Sequence, residues 1–179
     1  SLETIAKLTG HKKNSFSHRT TTLCDIYNRN SILIDTAIVI YYCGPRSYTG
    51  DDVVEIHTHG NPLITEALFD ELLFYGLRLA SPGEFTRNAY LNNKIDLVQA
   101  EAVINLINAQ TNAAIQLSIN NVMGGLSSKL AELKQSLITT LARLEHELDA
   151  PESNNHRQTT KLVAKSISST SLHINKLIK

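Results

Sequence analysis

The stretch Ser47–Gly60, SYTGDDVVEIHTHG, decides how the first half of this chain folds. From Val54 to His59 the residues alternate, with Val54, Ile56 and Thr58 on one face, which is typical of a β-strand with one buried face and one accessible face. Glu55, His57 and His59 share the accessible face, so a carboxylate and two imidazoles can line one surface. The stretch therefore predicts a strand whose outer face is either solvated or part of a binding site.

Two further strands are predicted ahead of this stretch. The runs Thr20–Tyr27 and Ile32–Tyr42 are rich in β-branched and aromatic residues, and the intervening Asn28–Asn30 is a turn sequence that predicts a hairpin. Because Ile32–Tyr42 is almost entirely apolar, we expect it at the centre of the sheet. Upstream, Leu2–Leu8 is amphipathic, and Gly10 is a typical helix stop.

A second motif, SPGEFTRNAYLNNKID, occupies Ser81–Asp96 and follows one predicted helix. That helix spans Pro62–Gly76, with Asn61 as its N-cap. Its apolar stripe is expected to run through Leu63, Ala67, Phe69–Asp70, Leu72–Leu73 and Leu77. After it, Leu77–Ala80 is a candidate short strand, and Glu84–Leu91 predicts a helix that the following Asn pair ends.

From Asp96 onward the pattern is helical. Asp96 can cap a helix that runs through Ile107, and Thr111 or Asn112 begins a longer one, which Gly124-Gly125 would weaken or kink. Leucines recur along the longer helix at three, four or seven residues and predict a helix-packing seam. The seam consists of Leu126, Leu130, Leu133, Leu137, Leu144 and Leu148.

The last part of the chain predicts a loop and a further helix. The polar stretch Pro151–Thr160, PESNNHRQTT, is typical of a loop, and the apolar spacing of Leu162–Leu177 indicates the helix. We place a domain boundary near Lys94. The sequence thus predicts an α+β protein, with a small mixed α/β domain at residues 1–94 and a helical domain at residues 95–179.

Composition excludes several classes of function. Seventeen basic and seventeen acidic residues cancel, so no positive excess is available to bind a phosphate backbone tightly. No apolar run approaches the roughly 18 residues of a membrane span, and the first residues lack the apolar core of a signal peptide. Cys24 and Cys43 are too few for a disulfide framework and fit a reducing cytoplasm. No G-x-x-x-x-G-K-[ST] phosphate loop occurs, so we expect no GTPase activity from this chain alone.

Two long runs carry a family resemblance: YTGDDVVEIHTHGNP and, after one helix, PGEFTRNAYLNNKIDLVQAEA. They resemble the tRNA modification GTPase family MnmE, also called TrmE. The resemblance begins near Leu2 and is sharpest from Gly44 to Asp149. It implies a folate-binding domain at residues 1–94 followed by the first part of the helical domain, with the GTPase domain lying outside this chain. The family pattern also begins with a strand and a folate-contacting Arg that this sequence lacks.

The resemblance carries an implied function. Family members modify the wobble uridine of certain tRNAs, giving nucleosides of the 5-carboxymethylaminomethyluridine type, and draw a carbon from 5-formyltetrahydrofolate or a related tetrahydrofolate. The implied setting is cytoplasmic, without a membrane. The implied partners are a second copy, bound through residues 1–94, the flavoprotein MnmG (GidA), and tRNA in the full complex. GTP, Mg²⁺ and K⁺ would enter only through the absent GTPase domain.

The resemblance also assigns a folate site to Glu55 and Lys94, which match the family's motif positions. It implies no catalytic residue and no metal ligand here. A carboxylate such as Glu55 can accept both a ring N–H and an exocyclic amino group of a reduced pterin. Lys94 could meet either the glutamate tail or a polarised oxygen of the one-carbon group.

Two alternatives from other classes stay open. Glu55, His57 and His59 could hold a metal ion in a metal-dependent enzyme, although such a triplet needs a fourth ligand or water and supporting contacts. The leucine seam could instead make the chain a structural helical adaptor. The other histidines are expected to be surface or incidental residues: His11, His18, His146, His156 and His173.

Overall fold

The structure is a computed structural model that describes residues 2–149 and 156–178. It divides into two compact units, residues 1–100 and residues 101–179. The elements are α1 (Leu2–Thr9), β1 (Thr21–Tyr27), β2 (Leu33–Tyr42), β3 (Val53–His57), α2 (Pro62–Phe74), α3 (Glu84–Leu91), α4 (Leu97–Ile107), α5 (Asn112–Val122), α6 (Gly125–Asp149) and α7 (His156–Ile178). An α+β fold, with a mixed first part and a helical second part, is therefore confirmed.

The three strands form one antiparallel sheet in the order β1-β2-β3, so the prediction that the apolar strand is central is confirmed. The predicted hairpin joins β1 and β2. At its turn the Asn28 Oδ1 accepts hydrogen bonds from the backbone N–H groups of Asn30 (3.0 Å) and Ile32 (2.9 Å). The side chain thereby replaces a backbone acceptor, which is why Asn suits this turn.

One face of the sheet is buried. On β2 every second residue from Asp35 to Tyr41 is buried, as the two-residue period of a strand requires. Residues of α1 and α2 cover this face. The core consists of Ile5, Leu8, Phe16, Cys24, Ile26, Ala37, Val39, Tyr41 and Leu68. Among the described residues, this core cluster packs only on the buried face. The opposite face carries the residues of the candidate site described below.

Helix α2 begins as predicted but buries a different stripe. Asn61 caps it by accepting a hydrogen bond from the Leu63 N–H (2.9 Å), and Pro62 is its first residue. The predicted stripe is wrong in part: Leu72 packs against the core, but Leu63 is 72% exposed, and the buried residues are Leu68 and Glu71. The helix is apolar on nearly all sides, so its periodicity could not tell which side faces the core.

The burial of Glu71 has a specific cause. Its Oε2 accepts the backbone N–H of Arg29 (3.0 Å) and its Oε1 accepts the Arg29 Nε–H (2.9 Å). The Glu71 side chain is only 6% exposed, and the Arg29 guanidinium also lies over the Phe74 ring, 4.2 Å from its centroid. The hairpin turn is thus tied to α2 by a buried carboxylate that satisfies two donors.

The candidate strand Leu77–Ala80 is wrong: this segment is irregular. Arg78 instead donates two hydrogen bonds to Glu84 at the start of α3 (2.8 and 2.6 Å), and Glu84 also accepts the Ser81 N–H (2.7 Å). These bonds lower the pKa of Glu84 to about 2. The segment is therefore held by side-chain contacts next to α3, without strand pairing. Helix α3 itself has the predicted bounds.

The helical part follows the predicted caps. Asp96 Oδ1 accepts the Gln99 N–H (2.9 Å) at the start of α4, and Thr111 accepts the Ala114 N–H (3.2 Å) at the start of α5. The expected long helix is broken rather than kinked. It ends at Val122 with Met123 as its C-cap, and Gly124 takes a φ of 87°, a conformation that glycine adopts without strain. A new helix, α6, follows.

Helices α6 and α7 pack together, with Thr140, Val163 and Thr170 buried, and the predicted seam is confirmed only in part, since Leu126 and Leu133 are half-buried. Thr140 and Ser166 share a hydrogen bond of 2.7 Å, whereas Leu137 and Leu148 of the seam are exposed. Of the predicted loop Pro151–Thr160, residues 151–155 lie outside the described residues and residues 156–160 are helical. Within the described part of the chain, no helix combines the length and apolarity that crossing a membrane requires.

Candidate ligand site on the open sheet face

The accessible side of the sheet, called the open face here, is defined by strand register. It carries Leu23 and Asp25 from β1, Ile38, Ile40 and Tyr42 from β2, and Glu55 and His57 from β3. Ile40 lies opposite Glu55 and Ile38 lies opposite His57, so these side chains form neighbouring cross-strand pairs. The open face therefore combines an apolar strip with a phenol, an imidazole and two carboxylates, of which Asp25 accepts hydrogen bonds at both oxygens from Thr36 and Tyr27.

Glu55 is the centre of this polar group. The Tyr42 hydroxyl donates to its Oε2 at 3.1 Å, and His57 Nε2 lies 3.5 Å from the same oxygen. The hydrogen bond to Glu55, followed by desolvation, raises the pKa of Tyr42. Among the described residues no hydrogen bond reaches Glu55 Oε1, and the side chain is 48% exposed. One carboxylate oxygen thus remains accessible to a ligand.

His59 does not belong to this group, so the predicted convergence of three side chains is wrong. Strand β3 ends at His57, and beyond it the His59 N–H and Nδ1 reach the two carboxylate oxygens of Asp35, at 2.9 and 2.7 Å. Asp35 is on the buried face. Desolvation alone would raise the pKa of Asp35, but the hydrogen bonds from His59 outweigh it and lower that pKa.

Lys94 follows α3 and contacts the loop Gly44–Asp52. Its Nζ donates to the Pro45 carbonyl at 2.8 Å. The neighbouring Asn92 Nδ2 donates to the Thr49 carbonyl, also at 2.8 Å, so the end of α3 is fixed against the loop. Gly50 permits this packing: a Cβ there would lie 2.9 Å from the Asn92 Cβ, and its φ is 84°.

The two predicted ligand residues do not touch each other. In the described part of the chain no hydrogen bond or ion pair joins Glu55 to Lys94. They contact the same short segment from its two ends, Glu55 at Tyr42 and Lys94 at Pro45. Three residues of chain span at most about 11 Å. The Cα atoms of Tyr42 and Pro45, which contact the two predicted residues, are therefore no farther apart than this limit.

The geometry of the described residues does not support the alternative of a metal site. Residues 2–149 and 156–178 contain no group of three or more His, Cys, Asp or Glu side chains arranged to hold a metal ion. Glu55 and His57 are neighbours, but His59 is turned toward Asp35. A structural zinc site needs about four ligands and a catalytic one about three.

Sequence reasoning missed Tyr42 as a member of the group. The alternation along β2 could have put it on the accessible face, because Tyr42 shares its parity with Ile38 and Ile40. Its contact with Glu55 depends on the β2–β3 register, however. The loop Gly44–Asp52 is too long to fix that register by turn type alone. A structural contact of His18 was also not predicted: its Nδ1 accepts the Cys43 N–H at 3.0 Å.

Both parts of the chain match known protein families. Residues 1–94 match the family described as "GTP-binding protein TrmE N-terminus". Residues 97–179 match the family described as "MnmE helical domain". The junction between the two matches lies between Lys94 and Leu97, directly before α4.

Individual relatives agree with these matches. A tRNA modification GTPase MnmE of Legionella pneumophila (strain Corby) is 40% identical over 145 residues, covering 81% of this chain and 32% of that protein. The protein of the same name from Campylobacter curvus is 41% identical over 148 residues, covering 83% and 33%. That of Thermotoga petrophila is 46% identical over 119 residues, covering 66% and 26%. The chain thus spans about a third of the length of the curated relatives it matches.

Proposed function

The chain belongs to the MnmE (TrmE) family, and we propose that it is the folate-binding and dimerising portion of a tRNA modification GTPase. The ligand is a reduced folate, 5-formyltetrahydrofolate or a related tetrahydrofolate, which donates one carbon. The whole protein modifies the wobble uridine of tRNA to the 5-carboxymethylaminomethyl type, together with the flavoprotein MnmG (GidA). GTP, Mg²⁺ and K⁺ act through the GTPase domain of the whole protein.

The observation that carries the folate proposal is the half-exposed carboxylate of Glu55 on the open face. A pterin presents a ring N–H beside an exocyclic amino group, and a carboxylate with one free oxygen can accept from both, since each oxygen has two lone pairs. The Tyr42 hydroxyl occupies one lone pair of Oε2 and orients the group. The residues present therefore fit a pterin's hydrogen-bonding edge.

Lys94 serves the other part of the ligand in this proposal. Its ammonium group is exposed and is held at the Pro45 carbonyl. An ammonium has three donors, so contact with a single carbonyl leaves donors for a ligand carboxylate or a formyl oxygen. A contact with an exposed carboxylate would be worth roughly 0–1 kcal/mol, and a desolvated contact more.

The proposal includes a homodimer formed mainly through residues 1–94. The support is the apolar strip of the open face: Leu23 is 69% exposed and Ile38 is 42% exposed, and they are cross-strand neighbours. Exposed contiguous apolar residues of this kind are typical of interaction surfaces. A second copy could cover the strip while leaving Glu55 at its margin.

The exposed leucine seam of α6 supports a second candidate, a structural helical adaptor. Leu130, Leu137 and Leu148 all remain exposed. In this candidate the chain associates through its helical part, and the open face has no role in association. The two candidates differ in which apolar surface mediates contact, so single substitutions can separate them.

Sedimentation equilibrium of the full chain with Ile38→Asp and with Leu137→Asp makes that separation. The proposal expects wild type and Leu137→Asp to be dimers at tens of micromolar, and Ile38→Asp to be a monomer, because a buried unpaired charge is costly. Dissociation by Leu137→Asp alone would favour the adaptor.

Titration calorimetry of 5-formyltetrahydrofolate into the wild-type chain tests the ligand. We expect saturable binding that Lys94→Ala weakens by less than about tenfold if the contact is solvent-exposed. No detectable binding to a folded wild-type chain would contradict the folate proposal. Lys12→Ala, an exposed cation elsewhere in the same unit, is the matched control.

A further inference from the structure

Two arginines meet at the Tyr42 end of the open face. The Arg19 Nη2 donates to the carbonyl of Arg46 at 3.4 Å, although the two residues are 27 positions apart. The Arg19 backbone N–H donates to the Tyr41 carbonyl (2.8 Å), which anchors Arg19 at the end of β2. Both arginines are exposed. The Arg19 guanidinium thus lies against the backbone of Arg46, and the charges of both arginines act on the same neighbour, His18.

This pair of arginines has no acidic ion-pair partner in the described part of the chain. Among residues 2–149 and 156–178, neither guanidinium forms an ion pair with Asp or Glu. The Asp52 carboxylate in the same loop accepts the Gly44 N–H (2.9 Å). The whole chain has a net charge of zero, so the cluster is a local excess. After desolvation, the charges of Arg46 and Arg19 are what lower the pKa of the adjacent His18.

Lys94 adds a third cation beside the same segment. Its Nζ lies 2.8 Å from the carbonyl of Pro45, the residue directly before Arg46. Three cationic side chains therefore border Pro45–Arg46 on the surface. Like charges held together repel one another, and an anion bound between them would relieve that repulsion. Guanidinium groups suit carboxylates particularly well, because their donors match both carboxylate oxygens.

We propose that Arg19 and Arg46 form an anion subsite for the γ-linked glutamate tail of a folate. The inference rests on the proposed function, in which Glu55 holds the pterin. Arg46 is four residues from Tyr42, so its Cα is at most about 14 Å from that of the residue that contacts Glu55. The tail is at the opposite end of an elongated folate from the pterin, and each added glutamate brings another carboxylate. The subsite selects polyglutamylated over monoglutamylated folate.

The test compares monoglutamyl and pentaglutamyl 5-formyltetrahydrofolate by calorimetry, using the full chain. Wild type is expected to bind the pentaglutamyl form roughly three- to tenfold more tightly, the factor that a few exposed charge pairs supply. Arg19→Ala combined with Arg46→Ala should abolish this preference and leave monoglutamyl binding within about twofold. Arg87→Ala combined with Arg143→Ala removes the same charge from other exposed sites and should keep the preference.

Two further measurements, folate binding at raised salt and binding of a short RNA, complete the test of this subsite. The preference should shrink as salt is raised, because added salt shortens the Debye length and weakens the attraction between exposed charges. Equal binding of the two folates by wild type, or a preference that survives in the Arg19/Arg46 double variant, overturns the subsite and leaves the proposed function standing. If neither folate binds, both fall. Binding of a short single-stranded RNA that depends on these arginines, with no folate preference, would reassign them to nucleic acid.

Discussion

The two faces of the three-stranded sheet contain similar apolar residues in different surroundings. On the buried face Ile26 and Val39 are fully enclosed by α1 and α2, whereas on the open face Leu23 and Ile38 remain exposed. The carboxylates Asp35 and Glu55 differ as well, although Asp25 on the open face also accepts hydrogen bonds at both oxygens. On the buried face both Asp35 oxygens are hydrogen-bonded, while Glu55 keeps an oxygen accessible. Burial with satisfied polar groups is typical of a structural role, whereas an exposed carboxylate oxygen stays available to a ligand.

The largest expected contrast is in stability. Ile26→Ala should lower the free energy of unfolding by about 3 kcal/mol, because it removes a fully buried side chain and leaves a cavity. Ile38→Ala, the same substitution on the open face, should cost less than about 1 kcal/mol in the monomer. Urea denaturation midpoints at matched m-values measure both. Equal losses would mean that the two faces are not distinguished by burial.

Substitutions of two glutamates, Glu71 and Glu55, test the same contrast between buried and exposed side chains at polar positions. Glu71→Gln should destabilise the fold by about 2 kcal/mol, since Arg29 loses a charged acceptor in a largely buried site. Glu55→Gln should change stability by no more than about 0.5 kcal/mol. Thermal unfolding of both variants in parallel checks this. A Glu55 variant that unfolds as readily as the Glu71 variant would show that Glu55 is structural.

A third carboxylate, Glu84, is held by hydrogen bonds within the fold, and its lowered pKa predicts that the stability of the fold depends on pH. Its folded pKa of about 2 lies below the ordinary value of 4.5, first because of the hydrogen bonds from Arg78. The interaction therefore stabilises the fold above about pH 4.5, and the stabilisation is lost as pH falls from 4.5 toward 2. In Arg78→Gln the Glu84 midpoint should move toward 4.5 in an NMR titration. An unchanged midpoint would rule out Arg78 as the cause.

The smallest expected effect concerns Tyr42. Removing its hydroxyl in Tyr42→Phe takes one hydrogen bond from Glu55 and should weaken 5-formyltetrahydrofolate binding by about three- to tenfold, the equivalent of roughly 0.5–1.5 kcal/mol. Stability should barely change, because the ring is retained. Tyr27→Phe, whose hydroxyl contacts Asp25 on β1, is a matched control. Equal effects of the two substitutions would argue against a positioning role for Tyr42.

Local signals in the sequence predicted the fold well. Alternation around Glu55 predicted β3, and the caps at Asn61, Asp96 and Thr111 were readable, because a cap depends only on residues within one turn. The central position of β2 followed from its continuous apolar run. In each case the deciding interaction lies within a few residues of the signal.

Contacts between distant residues were not predictable. Glu71 is buried because Arg29, 42 residues away, needs its carboxylate. The Tyr42–Glu55 contact depends on a register that the loop between them conceals. His59 was placed with Glu55 by parity alone, and the strand ends before it reaches that position. The assignments of Glu55 and Lys94 to folate come from family resemblance and stay predictions.

The central claim is that Glu55 is free for a ligand while the other face of the sheet is committed to structure. Titration calorimetry of 5-formyltetrahydrofolate into wild type, Glu55→Gln, His57→Gln and Glu66→Gln tests it most directly. Glu66 is an exposed glutamate on α2 and controls for the lost charge. We expect Glu55→Gln to weaken binding about ten- to a hundredfold, because Gln offers one acceptor and an unwanted donor, with little change in the other two. Wild-type binding that Glu55→Gln leaves unchanged would contradict the account.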